Sequence, residues 1–327
     1  MTTTNLIGQF NIFFYMEMGL LIDTIVFLIA LIVLIKGADW FVEAAEKIGL
    51  SLGINSFILG MTVVAMGTSL PELGSSIAAV YAGDPEIVIG NVVGSNTTNI
   101  LLVMGVMAVM GKVVPLGRNL MDVDVPLLMA SAFFLYFALE DLHFGIFEAV
   151  LFLVALVAFL TYSVQANQME LVQEDRPPMK WKYFAWLITG GVLLFVGSKY
   201  TITGLQGIAD NLNIRTSFLA FTILALGTSL PEVFVSLSAA RKGNTGIAIG
   251  NILGSNVFNT YAVLGIPALI TDIDVPASSF EFAVPFMVAV TLMFVVISFS
   301  GRINRYEGIV LLLLYIFYIY KMSVKVI

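Results

Sequence analysis

Cysteine is absent from this chain of 327 residues, histidine occurs once, and Asp, Glu, Lys and Arg together make up only 11% of it. Without cysteine there are no disulfides and no thiol chemistry. With His143 as the single imidazole, a zinc site of the usual nitrogen and sulfur ligands is hard to assemble. A net charge of −7 leaves no basic footprint for nucleic acid. The first eighteen residues lack the basic region of a signal peptide, and they read as a short extramembrane or interfacial extension. No His-Glu-x-x-His motif, Asp dyad or Ser/His arrangement lies at membrane depth, so the chain does not read as an enzyme and no cofactor is expected.

The abundant residues are apolar. Hydrophobic residues are 59% of the chain and the mean hydropathy is +0.99, far from a soluble composition with about 25% charged residues. Stretches of roughly 17 to 25 apolar residues can each span a bilayer as a helix. The sequence offers ten, at approximately 19–36, 55–82, 86–110, 118–139, 144–165, 182–206, 214–241, 245–270, 280–300 and 306–324. The expectation is an all-α polytopic protein of the cell membrane, its partners the lipid bilayer and inorganic cations, with its oligomeric state unread. The second, third, seventh and eighth stretches are rich in Gly, Ser, Thr and Asn, and such residues ordinarily serve helix packing.

Those four stretches also contain a repeat. Gly67-Thr68-Ser69-Leu70-Pro71-Glu72 returns as Gly227-Thr228-Ser229-Leu230-Pro231-Glu232, an offset of 160 residues. Gly90-Asn91, Gly94-Ser95-Asn96 and Asn99 return at the same offset as Gly250-Asn251, Gly254-Ser255-Asn256 and Asn259. Five spans per half is an odd number, so the second copy enters the membrane from the opposite side. The predicted organisation is an extension at 1–18, a five-helix repeat at 19–165, a polar linker at 166–181 and an inverted five-helix repeat at 182–327. Inverted repeats around interrupted helices place binding sites near the midplane of secondary transporters.

Orientation follows from basic residues near span ends. With the N-terminus outside, Lys36, Lys47, Lys112, Arg118, Arg176, Lys180, Lys182, Arg241, Lys242, Arg302 and Arg305 lie inside. Only Lys199, Arg215, Lys321 and Lys325 lie outside. Both termini are therefore predicted outside and the linker in the cytoplasm.

A charged side chain in an apolar span costs about 2.5 to 3.5 kcal/mol on insertion scales, so Glu72 and Glu232 at matched positions are functional candidates. One such carboxyl is compatible with an ordinary core group satisfied by hydroxyls; two in duplicated, Pro-interrupted, hydroxyl-rich contexts point to a site. Thr68, Ser69 and Glu72 share one helix face by their spacing, as do Thr228, Ser229 and Glu232. Pro71 and Pro231 remove a donor and clash with the preceding turn, which predicts a break near Gly67 and near Gly227 with carbonyls freed around Ala65 and Ala225. Ser95 and Asn99, and Ser255 and Asn259, stand four apart. The set is all oxygen, which suits hard cations. Calcium takes six to eight oxygens in flexible geometry, sodium accepts the same groups, and competition for shared oxygens is a sufficient basis for exchange.

The duplicated Gly-Thr-Ser-Leu-Pro-Glu with the following Gly-Asn-x-x-Gly-Ser-Asn-x-x-Asn resembles the alpha repeats of the sodium/calcium exchanger superfamily, in its short prokaryotic calcium/sodium antiporter branch. The resemblance implies a ten-helix fold in which two long gating helices, about 19–48 and 182–208, slide across an ion-holding core. It implies Glu72 and Glu232 as central carboxylates, Thr68, Ser69, Thr228 and Ser229 as hydroxyl ligands, the carbonyls of Ala65 and Ala225, and Ser95, Asn99, Ser255 and Asn259. The implied cargo is Ca2+ and Na+, exchanged by alternating access. The chain departs from the pattern at Asn259, where sodium/calcium exchangers usually carry Asp. It also lacks the Gly-Asn-x-x-Glu of calcium/proton exchangers, having Gly94 and Gly254 there. A cation/proton antiporter on the same scaffold is the alternative, and an ion channel a more distant one.

Other residues have plainer readings. Asp39, Glu43 and Glu46 read as the polar face of a helix leaving the membrane, rather than as an ion vestibule. Trp40 and Tyr200 read as interfacial aromatics, and Glu148 and Glu307 as charges at helix starts.

Overall fold

The computed structural model describes residues 3–111, 113–115, 124–169, 178–211, 227–277 and 279–325. The chain is built from helices: α1 (Thr3–Leu52), α2 (Ser56–Ala82), α3 (Ile87–Met110), α4 (Asp124–Ala138), α5 (Ile146–Met169), α6 (Trp181–Asn211), α7 (Leu230–Arg241), α8 (Thr245–Ala268), α9 (Ser279–Ser298) and α10 (Arg305–Lys325). Among the described residues, seven helical stretches are long and apolar enough to cross a membrane, which makes this a polytopic, helical membrane protein. Two short antiparallel strand pairs tie connections together. Residues Val113–Pro115 (β1) pair with Arg302–Asn304 (β4), and His143–Phe144 (β2) pair with Ile273–Asp274 (β3).

The expected first span, 19–36, is too short. The polar run Lys36-Gly37-Ala38-Asp39 lowers hydropathy without breaking a helix, because it holds no proline and one glycine costs only about 1 kcal/mol. The helix ends instead at Leu52, where Gly53 adopts φ 72°, the left-handed turn that closes many helices. At its other end α1 begins at Thr3, inside the expected extension of 1–18, because nothing in that stretch breaks the helix; the remaining helix ends that lie within the described residues fall within about five positions of expectation, and all of 214–226 lies outside them.

Helices α2 and α7 begin anew at the repeated motif. Ser69 (φ −88°, ψ 5°) and Ser229 (φ −84°, ψ 3°) leave helical geometry, and Pro71 and Pro231 fall in the first turn of the helical segment beyond each serine. The break therefore sits at Ser69 and Ser229, two residues beyond the position expected near Gly67 and Gly227. The reason is that the first N–H groups of a helix have no intrahelical partner, so a new helix beginning at Leu70 or Leu230 accommodates the proline in its first turn. A second discontinuity is duplicated: π-helical turns cover Asn99–Val103 in α3 and Asn259–Val263 in α8, again 160 residues apart. Such turns collect at functional sites.

Burial separates two layers. All of the apolar window of α8 is buried, against 11% of that of α1 and 28% of that of α6. Helix α8 packs against α2, α3, α4, α5 and α7, whereas α1 and α6 run along each other on the outside. At the centre the approach of α8 to α2 is close enough that a Cβ on Gly254 would overlap the Met61 carbonyl, which is why a small residue stands there. On the outside, Gly190, Gly197 and Gly204 of α6, seven residues apart, rest on the α1 backbone at Phe41, Leu34 and Phe27.

Candidate cation site

The duplicated segments converge in the core. Glu72, Glu232, Ser69, Ser229, Ser95, Ser255, Asn99 and Asn259 have no solvent exposure, and Ala65, Thr68 and Thr228 are buried beside them. Ala225 lies outside the described residues. The breaks at Ser69 and Ser229 start α2's second segment and α7 at the same depth as the glutamates, and the crossing of α2 with α8 brings the halves into contact.

The hydrogen bonds run between halves and obey the sequence register. Thr68 Oγ1 lies 3.1 Å from Asn251 Oδ1 and 3.4 Å from Ser255 Oγ. Its counterpart Thr228 donates to Asn91 Oδ1 at 3.4 Å and lies 3.4 Å from Ser95 Oγ. Asn91 Nδ2 donates to Ser76 Oγ at 2.9 Å, as Asn251 Nδ2 donates to Ser236 Oγ at 2.9 Å. Asn91 also donates to the Glu72 carbonyl at 3.0 Å, so it holds the backbone of the residue whose carboxylate faces the site. Sequence reasoning missed the framework role of Asn91 and Asn251, though both stand in the repeat. Ser76 and Ser236 share the 160-residue offset, and a longer comparison of the two copies would have found them.

The register fails at the carboxylates. Glu232 Oε1 accepts from Ser69 Oγ at 2.9 Å and from Ser255 Oγ at 3.5 Å. Neither oxygen of Glu72 has a protein partner, nor does Ser229 Oγ, which stands where Ser69 stands in the other copy. Glu232 Oε2, Asn99 Oδ1 and Asn259 Oδ1 are also buried without partners. Among the described residues no basic side chain forms an ion pair with either glutamate. Buried acceptors are almost always paired, and a buried charge without a counter-charge is costly. The six such oxygens, two of them on one carboxylate, all belong to the repeated segments and are the candidate acceptors for a cation. No thiolate or imidazole is present, which suits hard ions.

The expected free carbonyl at Ala65 is not free. It accepts from Ser69 N–H at 3.0 Å, and Thr68 Oγ1, 3.2 Å away, has one proton that it can give either to this carbonyl or to Asn251 Oδ1. Proline acts further along: Pro71 and Pro231 cannot donate to Gly67 and Gly227, and the Gly227 carbonyl accepts instead from Ser198 Oγ of α6 at 2.9 Å. The position of Ser198 in the first half is Ala38.

The residues given plainer readings make contacts away from the repeated segments' glutamates. Asp39 Oδ1 accepts from Ser238 Oγ at 2.6 Å and the Asp39 carbonyl from Lys242 Nζ at 2.6 Å, while Glu43 stands 4.0 Å from the same amine. This ties α1 to the end of α7. Glu148 accepts from Gly145 N–H at 3.0 Å and Glu307 from Asn304 N–H at 2.8 Å, each capping its own helix start. Trp40 and Tyr200 are about half exposed on the outer layer.

Known proteins place this architecture. The sodium/calcium exchanger protein family matches residues 22–165 and 182–324, nearly the whole chain and both copies of the repeat. CaxA of Alkalimonas amylolytica is 37% identical over 317 residues, covering 92% of this chain and 98% of its own. The sodium/calcium exchanger MaX1 of Methanosarcina acetivorans is 32% identical, covering 90% of this chain and 97% of its own. Solved structures of the sodium-calcium exchanger NCX_Mj, soaked with sodium and strontium, superpose with a TM-score of 0.82 at 31% identity over 92% of this chain and 98% of theirs.

Proposed function

The chain belongs to the sodium/calcium exchanger family of membrane transporters, and from that premise we propose that it exchanges calcium for sodium by alternating access to one site between its two halves. The observation that carries this reading is the cluster of buried oxygens without protein partners on Glu72, Glu232, Ser229, Asn99 and Asn259. Glu72 and Glu232 together neutralise one divalent ion. Ser69 reaches the site through its bond to Glu232, and Thr68, Thr228, Ser95 and Ser255 form its walls and can turn their hydroxyls inward. Ala65 contributes its carbonyl only by giving up a hydrogen bond it now accepts. The carbonyl of Ala225 completes the set by the register of the repeat. Sodium competes for the same oxygens, and two ions that cannot share one site are exchanged rather than co-transported.

The scaffold in this reading is ten transmembrane helices in two inverted repeats, 19–165 and 182–327, joined by a cytoplasmic linker at 166–181, with both termini outside. The paired outer helices α1 and α6 are the moving parts, since they face lipid along most of their length and touch the core along one side, while α8 and its neighbours form the fixed part. The 160-residue offset of hydrogen bonds, π turns and helix breaks supports the repeat.

The test is calcium uptake into proteoliposomes, with an outward sodium gradient in one arm and an outward proton gradient in the other. Sodium-driven uptake is expected. Uptake driven by protons alone would make the chain a cation/proton antiporter on the same scaffold, and uptake that neither saturates nor depends on a counter-ion would make it a channel.

A further inference from the structure

The two asparagines that flank the glutamates are not held alike. In the first half Asn99 Nδ2 donates to Asn256 Oδ1 at 3.1 Å, and this fixes the amide so that Asn99 Oδ1 faces away from Asn256, buried and without a partner. By the register of the repeat, Asn259 Nδ2 should donate to Asn96 Oδ1 in the same way. It does not. Asn96 Nδ2 donates to Thr260 Oγ1 at 3.0 Å and also lies 3.8 Å from Met287 Sδ, which turns the Asn96 amide so that its Oδ1 is left without a partner, and neither end of the Asn259 amide has a protein partner. The residues that draw Asn96 away have no counterparts in the first half, where the positions of Thr260 and Met287 are Ile100 and Leu127. The carbonyl of Asn99 is thus a fixed acceptor, and the amide of Asn259 is free to turn.

We infer that Thr260 is a positioning residue: by holding Asn96, it leaves the Asn259 amide untethered, so that one half of the site offers a rigid ligand and the other a ligand that can turn. This rests on the reading that Asn99 and Asn259 line the cation site. An amide can present its oxygen to a cation or turn its NH2 toward a carboxylate oxygen, and Glu232 Oε2 is a buried oxygen without a protein partner. A turning amide lets one cavity serve a divalent ion and a monovalent one with different numbers of oxygens. Its cost is that the amide must be ordered each time an ion uses it.

The experiment replaces Thr260 by Val, which keeps the shape and removes the hydroxyl, and by Ser, which keeps the hydroxyl. Calcium uptake by the full-length protein in proteoliposomes is measured against internal sodium. With its partner gone, Asn96 turns to Asn259 as Asn256 holds Asn99. In Thr260→Val the half-saturating sodium concentration should fall about fivefold, because the tethered Asn259 amide no longer has to be ordered on binding. The maximal rate should change by less than about twofold, because no group lost is made only in the transition between states. Thr260→Ser should match the parent. The complementary variant Asn256→Ala, which releases Asn99, should raise the half-saturating concentration by a similar factor, and it carries the test should the valine variant not fold. Unchanged half-saturation in both variants, an equal shift in Thr260→Ser, or a joint loss of rate and affinity would overturn the assignment. A parent protein with no sodium-driven uptake, by contrast, defeats the reading of the site itself.

Discussion

The two copies of the repeat carry the same six residues around their glutamates, yet Glu232 is held by two hydroxyls and Glu72 by none. Identical local sequence has produced unequal sites because the shortest bond to Glu232 comes from the other half and has no counterpart at Glu72. Ser69 reaches Glu232 across the interface, while Ser229, its copy, reaches nothing. The wall bonds of Thr68 and Thr228 remain symmetric to within a few tenths of an ångström. Around the glutamates the asymmetry therefore lies in the carboxylate and amide contacts while the Thr68 and Thr228 bonds are matched, and between the layers it returns at Ser198, whose counterpart is Ala38. For the proposed exchange by alternating access, such a division supplies a fixed frame and a centre whose hydrogen bonds can be exchanged.

The largest effect expected from breaking this comparison comes from the glutamates themselves. Glu72→Gln and Glu232→Gln each remove half of the charge that balances a divalent ion, and each should abolish calcium uptake, a loss of at least about 100-fold given the worth of a buried charge. Both should still fold, since glutamine at 232 retains the acceptor that Ser69 and Ser255 use and Glu72 has no side-chain bond to lose. Monodisperse elution together with absent uptake is the expected result; calcium-dependent flux retained in both variants would remove the two residues from the site.

Next in size is the change of coupling ion. Asn259→Asp adds a carboxylate at a position with two unpaired polar atoms, whereas Asn96→Asp adds one to a residue already bonded to Thr260. The first should alter the sodium dependence of uptake more than the second. Equal effects would mean that Asn259 is not a ligand.

Much of this is legible in the sequence. The offset of 160 residues predicts the matched helix breaks and the paired, buried glutamates, because a repeat this regular can only be kept by a repeated structure. The features that are not legible have physical causes. Counting back from Pro71 places the helix break near Gly67, but a new helix starting at Leu70 absorbs the proline in its first turn and moves the break to Ser69. For the same reason the Ala65 carbonyl stays paired. Hydropathy misplaces the end of α1 because it marks polarity and Lys36 and Asp39 are polar, while the backbone stops only at Gly53. The inequality of Glu72 and Glu232 is beyond the reach of sequence, since it depends on which side chains face each other across two halves.

A smaller effect sharpens the comparison at the hydroxyls. Ser69→Ala leaves Glu232 Oε1 with the longer bond from Ser255 only, so it should cost about 1 to 3 kcal/mol of stability without added cation. Ser229→Ala removes a buried hydroxyl that makes no bond and should cost less than Ser69→Ala, because no hydrogen bond is lost. Thermal unfolding in detergent without calcium reads this difference. With calcium present the two should converge, because the ion gives Ser229 a role that Ser69 already has; equal losses in its absence would show the halves to be alike.

The smallest expected effect lies between the layers. Proline removes one donor in each half, but only the second half replaces it, with Ser198 Oγ on the Gly227 carbonyl; the first half has Ala38 in that place. Helix α6 is therefore pinned to the core by a side-chain bond at its contact with α7, whereas α1 is pinned further along, where Asp39 meets Ser238 and Lys242. Ser198→Ala should lower stability by about 0.5 to 1.5 kcal/mol, one net hydrogen bond. If α6 must slide for transport, it should also raise the maximal rate of uptake relative to the half-saturating ion concentrations, because the bond lost holds a moving helix and touches no ion. A fall in ion affinity with no change in rate would place Ser198 in the site rather than in the hinge, and Ala38→Ser, which adds the missing hydroxyl beneath Gly67, should then slow the exchanger if the two outer helices move together.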